Sequence, residues 1–386
     1  MKYPKLISPT SVGRCDLKHR VVMSPLTRLR NDEATEAPGE INKLYYSQRA
    51  SEGGLILSEG TSPSPGGRGY IRAPAVFNDA HVRGWKLVTD EVHAKGGFIF
   101  CQLMHAGRVS HSTLLPNQQL PVSPSAIQPS GLVHIPGGKK APYEVPRALD
   151  VEEIPGIVEE YVVAARCAME AGFDGVEIHC GNGYLPQQFL AKQCNIRTDQ
   201  YGGSVPNRAR FLLEVTDAVV AAIGSDKVGM KLQPGVTFSG LVEPEDDCFE
   251  QLAYLGPELQ MRKMAYVCLS SCNYAPYFQF LGLTEPNFKN DVWRFFRQHY
   301  KGTLIINGGL SPERAEEYVA EGTADCVSFG VPFIANANLP ELLAAGFEND
   351  QLNAGGWQTN LWYSHAGRPD EVGYTDWPLV EPTVAA

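Results

Sequence analysis

The chain has no surplus of positive charge, no long apolar run and no close-set cysteine pairs, and each lack excludes a class of function. Lys and Arg number 33 against 43 Asp and Glu in 386 residues, a formal net charge of −10. A nucleic-acid binder needs the opposite balance to neutralise phosphates. No apolar stretch approaches the roughly 20 residues of a membrane-spanning helix. The first ten residues carry prolines and two lysines instead of an apolar secretion core. Nine cysteines, an odd number, are scattered along the chain without a C-x-x-C. Cys268 and Cys272 stand four apart, with no second His or Cys pair at zinc-ligand spacing. Reduced, mostly buried thiols in a cytoplasmic protein are expected, with no metal and no iron–sulfur cluster. The Gly-rich turn of a dinucleotide-binding sheet is missing after the early strands. The 43% hydrophobic and 20% charged fractions are those of a packed globular chain.

What is present is a series of short apolar, β-branched runs: 21–27, 55–60, 98–105, 175–180, 228–234, 266–271, 303–309 and 326–330. Each is of strand length and nearly continuous in its apolar character, as suits strands covered on both faces. Helical patterns lie between them. Asp150 and Glu153 make a capping-box start, after which Ile157, Val158, Tyr161, Val162 and Ala165 keep one face apolar. Ser311 and Pro312 read as N-cap and first helical residue, with Gly322 as the stop. Eight strands alternating with helices predict a single (β/α)8 TIM barrel spanning 1–386. One connection, 107–149, is long, rich in Pro, Gly and Ser, and without sustained period. A structureless loop of that size suggests a functional lid, here at the carboxyl end of the barrel where such enzymes keep their active sites.

The fourth run leads straight into His179-Cys180-Gly181-Asn182-Gly183-Tyr184-Leu185. One turn at the barrel mouth thus carries an imidazole, an amide and a phenol. His and Asn can donate to one carbonyl oxygen and stabilise a developing enolate, and a phenol is a proton donor at neutral pH. From spacing alone the turn reads either as a functional site or as a structural polar turn.

Further motifs accompany it in order: Met23-Ser24-Pro25-Leu26-Thr27-Arg28, Gln102-Leu103 with Gly107-Arg108, Asn195-Ile196-Arg197-Thr198-Asp199-Gln200-Tyr201-Gly202-Gly203-Ser204, Asn207-Arg208-Ala209-Arg210-Phe211 and Gly373-Tyr374-Thr375-Asp376. Together, over nearly the whole chain, they resemble the old yellow enzyme family. The resemblance implies a barrel holding FMN, reduced by NADPH or NADH, that passes hydride to the β-carbon of a small enone or enal. It assigns the substrate carbonyl to His179 and Asn182 and the proton to Tyr184. It places flavin contacts at Pro25, Leu26, Thr27, Gly60, Gln102, Lys231, Gly308, Gly309, Gly330 and Val331. Tyr70, Met104 and Tyr363 fall at substrate-pocket positions.

Three positions depart from the family pattern. Lys231 replaces an Arg, keeping the charge but losing the bidentate fork. Met104 replaces a Trp, which predicts a differently shaped pocket. Val331 replaces the Arg that grips the flavin phosphate, so weaker flavin binding is expected. Losing one charged hydrogen-bond partner costs roughly 1.5–3 kcal/mol, or about 10- to 150-fold in affinity. Arg197, Asp199, Arg208 and Arg210 read as structural polar contacts, His105 and His111 as a strand-end and a loop histidine, and Cys180 as no redox centre. An ene-reductase is the leading reading. A redox-neutral isomerase or other biosynthetic enzyme in the same pocket, with weak or no use of flavin, is favoured by Val331 and Lys231 and comes second, and a non-catalytic binder third.

Overall fold

A computed structural model describes residues 1–235, 238–241, 243–271 and 291–382, leaving Cys272 outside. Eight parallel strands close into a barrel: β1 (Val21–Met23), β2 (Leu55–Leu57), β3 (Phe98–Leu103), β4 (Gly175–Cys180), β5 (Val228–Leu232), β6 (Tyr266–Ser270), β7 (Leu304–Asn307) and β8 (Cys326–Phe329). Their neighbours are sequential, and β8 closes on β1. Helices follow the strands: α1 (Glu40–Arg49), α2 (Asp79–Ala94), α3 (Ile154–Glu170), α4 (Val205–Ile223), α5 (Glu245–Arg262), α6 (Val292–His299), α7 (Pro312–Ala320) and α8 (Leu339–Ala344). This is the expected (β/α)8 TIM barrel. The capping box at Asp150 and the Ser311 cap form as read. No helix among the described residues is long and apolar enough to cross a membrane.

Side chains alternate along each strand, so the two faces build different cores. Outward-facing Val176, Ile178 and Cys180 join the helix layer. Inward-facing Phe100, Tyr266, Cys268 and Ile305 fill the lower barrel, which an amino-terminal hairpin (Thr10–Val12 with Cys15–Leu17) plugs with Val12, Cys15 and Leu17. That hairpin was not anticipated, because its strands are three residues long and half polar. Gly229 shows why the strands need glycine inside: a Cβ there would lie 2.2 Å from the Tyr266 ring. The apolar runs extend past most strand ends, since burial continues where ladder hydrogen bonding stops. Those overruns, at the carboxyl ends, supply much of the mouth.

The 107–149 connection corrects the expectation of a structureless loop. Leu132–Ile135 and Lys139–Pro142 form an antiparallel hairpin, and Val122–Ser123 pairs in parallel with Arg147–Ala148. The hairpin hid in the sequence because its second strand is polar and ends in proline. Its Val133, with Tyr143 beyond, packs against Met104, Ala106, Val109, Leu114 and Tyr184. Arg197 pins the foot of this segment, donating to Pro124 O at 2.9 Å and to Leu149 O, and pairs with Asp199 at 2.6 Å. Arg208 pairs with Asp247 at 2.7 Å, and Arg210 donates to Gln200 O. These arginines are structural, as expected.

After α8 the chain returns across the barrel and is held by three buried arginines. Arg28 donates to Trp362 O and Gly373 O, Arg30 to Asp370 O and Val372 O, and Arg49 to Tyr374 O. Tyr374 stacks on Tyr45 at 4.0 Å. Carbonyl oxygens, with few carboxylates, thus receive the guanidinium forks.

Candidate active site

Towards the carboxyl ends of the strands the barrel interior turns polar. Gln102 on β3 donates to Glu177 Oε1 on β4 at 2.8 Å, and Asn307 on β7 donates to Ser24 Oγ at 2.8 Å. His179 and Lys231 occupy the same rung of the β4–β5 ladder. Glu177 was missed in the sequence. The signal was there: a lone carboxylate in an apolar strand, two residues before His179 and so on the same face. Burial raises the Glu177 carboxyl above its usual range, and Lys231 and Gln102 pull it back. Burial, reinforced by Lys231, holds His179 well below the usual imidazole range, so the ring is neutral at pH 7.

The turn after β4 needs left-handed backbone at Asn182 (φ 52°) and Gly183 (φ 74°), which Asn and Gly adopt most readily. Side chains lock it there. Gly183 N–H donates to Gln187 Oε1 at 2.8 Å, Asn182 N–H to Gln233 Oε1 at 3.2 Å, and Gln188 Nε2 to Gly183 O at 2.7 Å. Asn182 Nδ2 and His179 Nε2 end 3.4 Å apart. The Tyr184 ring stands 5.1 Å from the His179 ring, edge to face. Its hydroxyl lies 2.7 Å from that of Tyr70, which arrives from the loop after β2. Burial drives the Tyr184 phenol above its usual range, and Tyr363 and Tyr143 add to this. Tyr363, on the returning carboxyl-terminal segment, thus lies within electrostatic range of Tyr70 and Tyr184, as does Tyr143, which was not foreseen. Met104 is 1% exposed, and a Cβ on Gly60 would lie 2.5 Å from its sulfur.

The other side of the mouth is backbone-rich. Pro25, Leu26 and Thr27 are half-buried after β1. Gly308 (φ 145°) and Gly309 (φ 72°) follow β7. Gly330 ends β8 and opens a short helix, Val331–Ala335. Half-buried Val331 borders a cavity of about 230 Å³ that Asn336, Asp350 and Trp357 also line. His105 and His111 stay with backbone and loop partners: Gly107 N–H donates to His105 Nδ1, and His111 Nδ1 accepts from Thr113 N–H.

Comparison with known proteins identifies the family and agrees with the fold. The sequence model of the NADH:flavin oxidoreductase / NADH oxidase family matches residues 5–350. The chain is 40% identical over 387 residues to 12-oxophytodienoate reductase 2 of Arabidopsis thaliana, covering 98% of this chain and 96% of that one. Morphinone reductase, solved in complex with tetrahydroNAD, superposes with a TM-score of 0.86 at 43% identity, covering 97% and 98% of the two chains. The old yellow enzyme homologue from Zymomonas mobilis superposes with 0.86 at 36% identity, covering 97% and 99%. The chain belongs to this family, the old yellow enzymes, and is an NAD(P)H-dependent flavin oxidoreductase.

Proposed function

We propose that the chain reduces the carbon–carbon double bond of small α,β-unsaturated ketones and aldehydes, with FMN as cofactor and NADPH or NADH as reductant. The observation that carries this reading is the 3.4 Å separation of His179 Nε2 and Asn182 Nδ2 beside a buried phenol. Two nitrogens so spaced can both donate to one carbonyl oxygen at ordinary hydrogen-bond length. Donors converging on an oxygen that gains negative charge stabilise the enolate more than the ground state. A neutral His179 in its Nε2–H form donates without needing a proton from solvent. Tyr184, whose burial keeps it protonated, supplies the α-carbon proton. Tyr70, Met104 and Tyr363 shape the substrate side. Residues 1–386 act as one barrel unit in the cytoplasm, with 107–149 as a lid whose Val133 and Tyr143 shield Tyr184 from water.

The residues at the mouth fit a flavin. His179 Nδ1 is buried without a hydrogen-bond partner among the described residues. Gly330 leaves room that a Cβ would narrow to 3.4 Å from Leu26. Pro25, Leu26, Thr27, Gly60, Gln102 and Lys231 would hold the ring, with Gly308, Gly309 and Gly330 towards the phosphate. When bound, FMN would supply the hydride chemistry, with NADPH or NADH as its reductant. Val331 offers the phosphate no charge, so FMN is held loosely. The same apolar residue favours, as a second reading, a redox-neutral isomerase that makes little use of flavin.

Stopped-flow separation of the half-reactions tests the proposal. In Tyr184→Phe, flavin reduction by NAD(P)H persists while reoxidation by an enone slows roughly 10²–10⁴-fold, the usual value of general acid help. Wild-type protein that shows neither half-reaction with excess FMN overturns this reading in favour of the redox-neutral one.

A further inference from the structure

We propose that Tyr70 is a positioning residue that stabilises the phenolate of Tyr184 and relays a solvent proton to it, by way of the 2.7 Å contact between their hydroxyls. The inference rests on the reading of Tyr184 as the proton donor. When Tyr184 protonates an α-carbon, its O–H bond breaks, a C–H bond forms, and a phenolate remains. Tyr184 is 6% exposed, and burial penalises that charge. Among the described residues, the hydroxyl that hydrogen-bonds to Tyr184 is that of Tyr70. The Tyr70 and Tyr184 rings are perpendicular with centroids 6.4 Å apart, so the pair meets through its oxygens and not its faces. Among the described residues, no carboxylate or ammonium hydrogen-bonds to either hydroxyl. The groups facing them are the neutral His179 ring and the phenols of Tyr143 and Tyr363.

Tyr70 is half-buried, more exposed than Tyr184, and so gives the pair its route to a solvent proton. Its O–H passes to the Tyr184 phenolate, and the Tyr70 phenolate takes a proton from a solvent acid. One solvent proton is consumed per product, and no electrons move. The loop is built to hold it there. A Cβ on Gly69 would lie 2.6 Å from the Ala106 Cβ, so glycine lets the loop press onto the end of β3. Arg72, two residues after Tyr70, is clamped by Asp370 at 2.5 Å and by its bond to Asn31 O.

The test compares Tyr70→Phe, Tyr184→Phe and the double variant as FMN-loaded enzymes turning over 2-cyclohexenone, in water and in deuterium oxide. A hydrogen bond to a charged group is lost, so Tyr70→Phe slows product formation roughly 10- to 100-fold and changes the solvent isotope effect. Adding Tyr70→Phe to Tyr184→Phe then slows it no further, because the two act in series. Multiplying losses, or a Tyr70→Phe enzyme as fast as wild type with an unchanged isotope effect, overturn the relay and leave Tyr70 as a pocket wall. A wild-type enzyme that does not turn over the enone at all overturns the ene-reductase reading, and the relay with it.

Discussion

Behind the turn that carries Asn182 and Tyr184 lies a buried carboxyl that no motif or spacing singles out. Glu243 accepts from Gln187 Nε2 at 2.7 Å, and Gln187 in turn holds Gly183 N–H. A cavity of about 20 Å³ adjoins it, lined by Cys180, Gln233 and Cys248 among others, which is room for about one water. Burial raises the Glu243 carboxyl to about 7, with Gln187 and Gln251 opposing and Asp247 assisting. The folded chain therefore keeps a proton that the unfolded chain releases near 4.5. This contribution to stability is whole below that pH and is lost as pH rises through 7, by roughly 3 kcal/mol. Glu243→Gln is expected to lose less stability than wild type between pH 5 and 8 in urea denaturation. Equal losses in both proteins would assign the proton elsewhere. His19 and His105, pushed down to about 4 by burial, act in the opposite sense. Their contribution is whole above about 6.5 and is lost as pH falls towards 4.

Among the elements, the junction of β8 with the Val331–Ala335 helix is where the proposed reading puts the flavin phosphate. Its backbone turns at Gly330, where an added Cβ would come no closer than 3.4 Å to a neighbouring side chain, Leu26. Val331 borders open volume, so a longer side chain meets space instead of a packed core. Val331→Arg is expected to tighten FMN about tenfold or more by equilibrium dialysis, since a charged donor to phosphate is restored. An unchanged dissociation constant would mean that the phosphate sits away from this residue. The lid hairpin shows the limit of pattern reading at this scale. Val133 and Ile135 anchor its first strand, with Tyr143 just beyond the second, and two alternating apolar positions beside a polar partner strand are too few to mark a period of two.

Across the whole molecule, Arg28 joins the end of β1 to residues more than 330 positions away, through Trp362 O at 2.8 Å and Gly373 O at 2.6 Å, with Tyr45 Oη at 3.1 Å as a further acceptor. The guanidinium fork reaches three directions in one plane, whereas an ammonium is a single point of charge. Arg28→Lys is expected to leave buried carbonyls without donors and to cost about 2–4 kcal/mol of folding stability. Chemical denaturation measures this, and a loss under about 1 kcal/mol would show that water can replace the fork. The same variant should weaken enone binding, because Tyr363 rides on the segment that Arg28 holds.

The eight strands, their order and the His179–Asn182–Tyr184 turn could be read from residues alone, because apolar periodicity, caps and left-handed turn residues act within a few positions of one another. Most candidate site residues could be singled out for the same reason: they sit at or just past strand ends, where the apolar run outlasts the ladder. The charge states and partnerships were not. Tyr70 meets Tyr184 across 114 positions, and Gln102 meets Glu177 across 75. The neutral imidazole of His179 and the raised carboxyl of Glu243 depend on how completely remote segments exclude water. Desolvation is set by every neighbour in space, and only closure of the barrel and the docking of its lid and carboxyl-terminal segment brought those neighbours together.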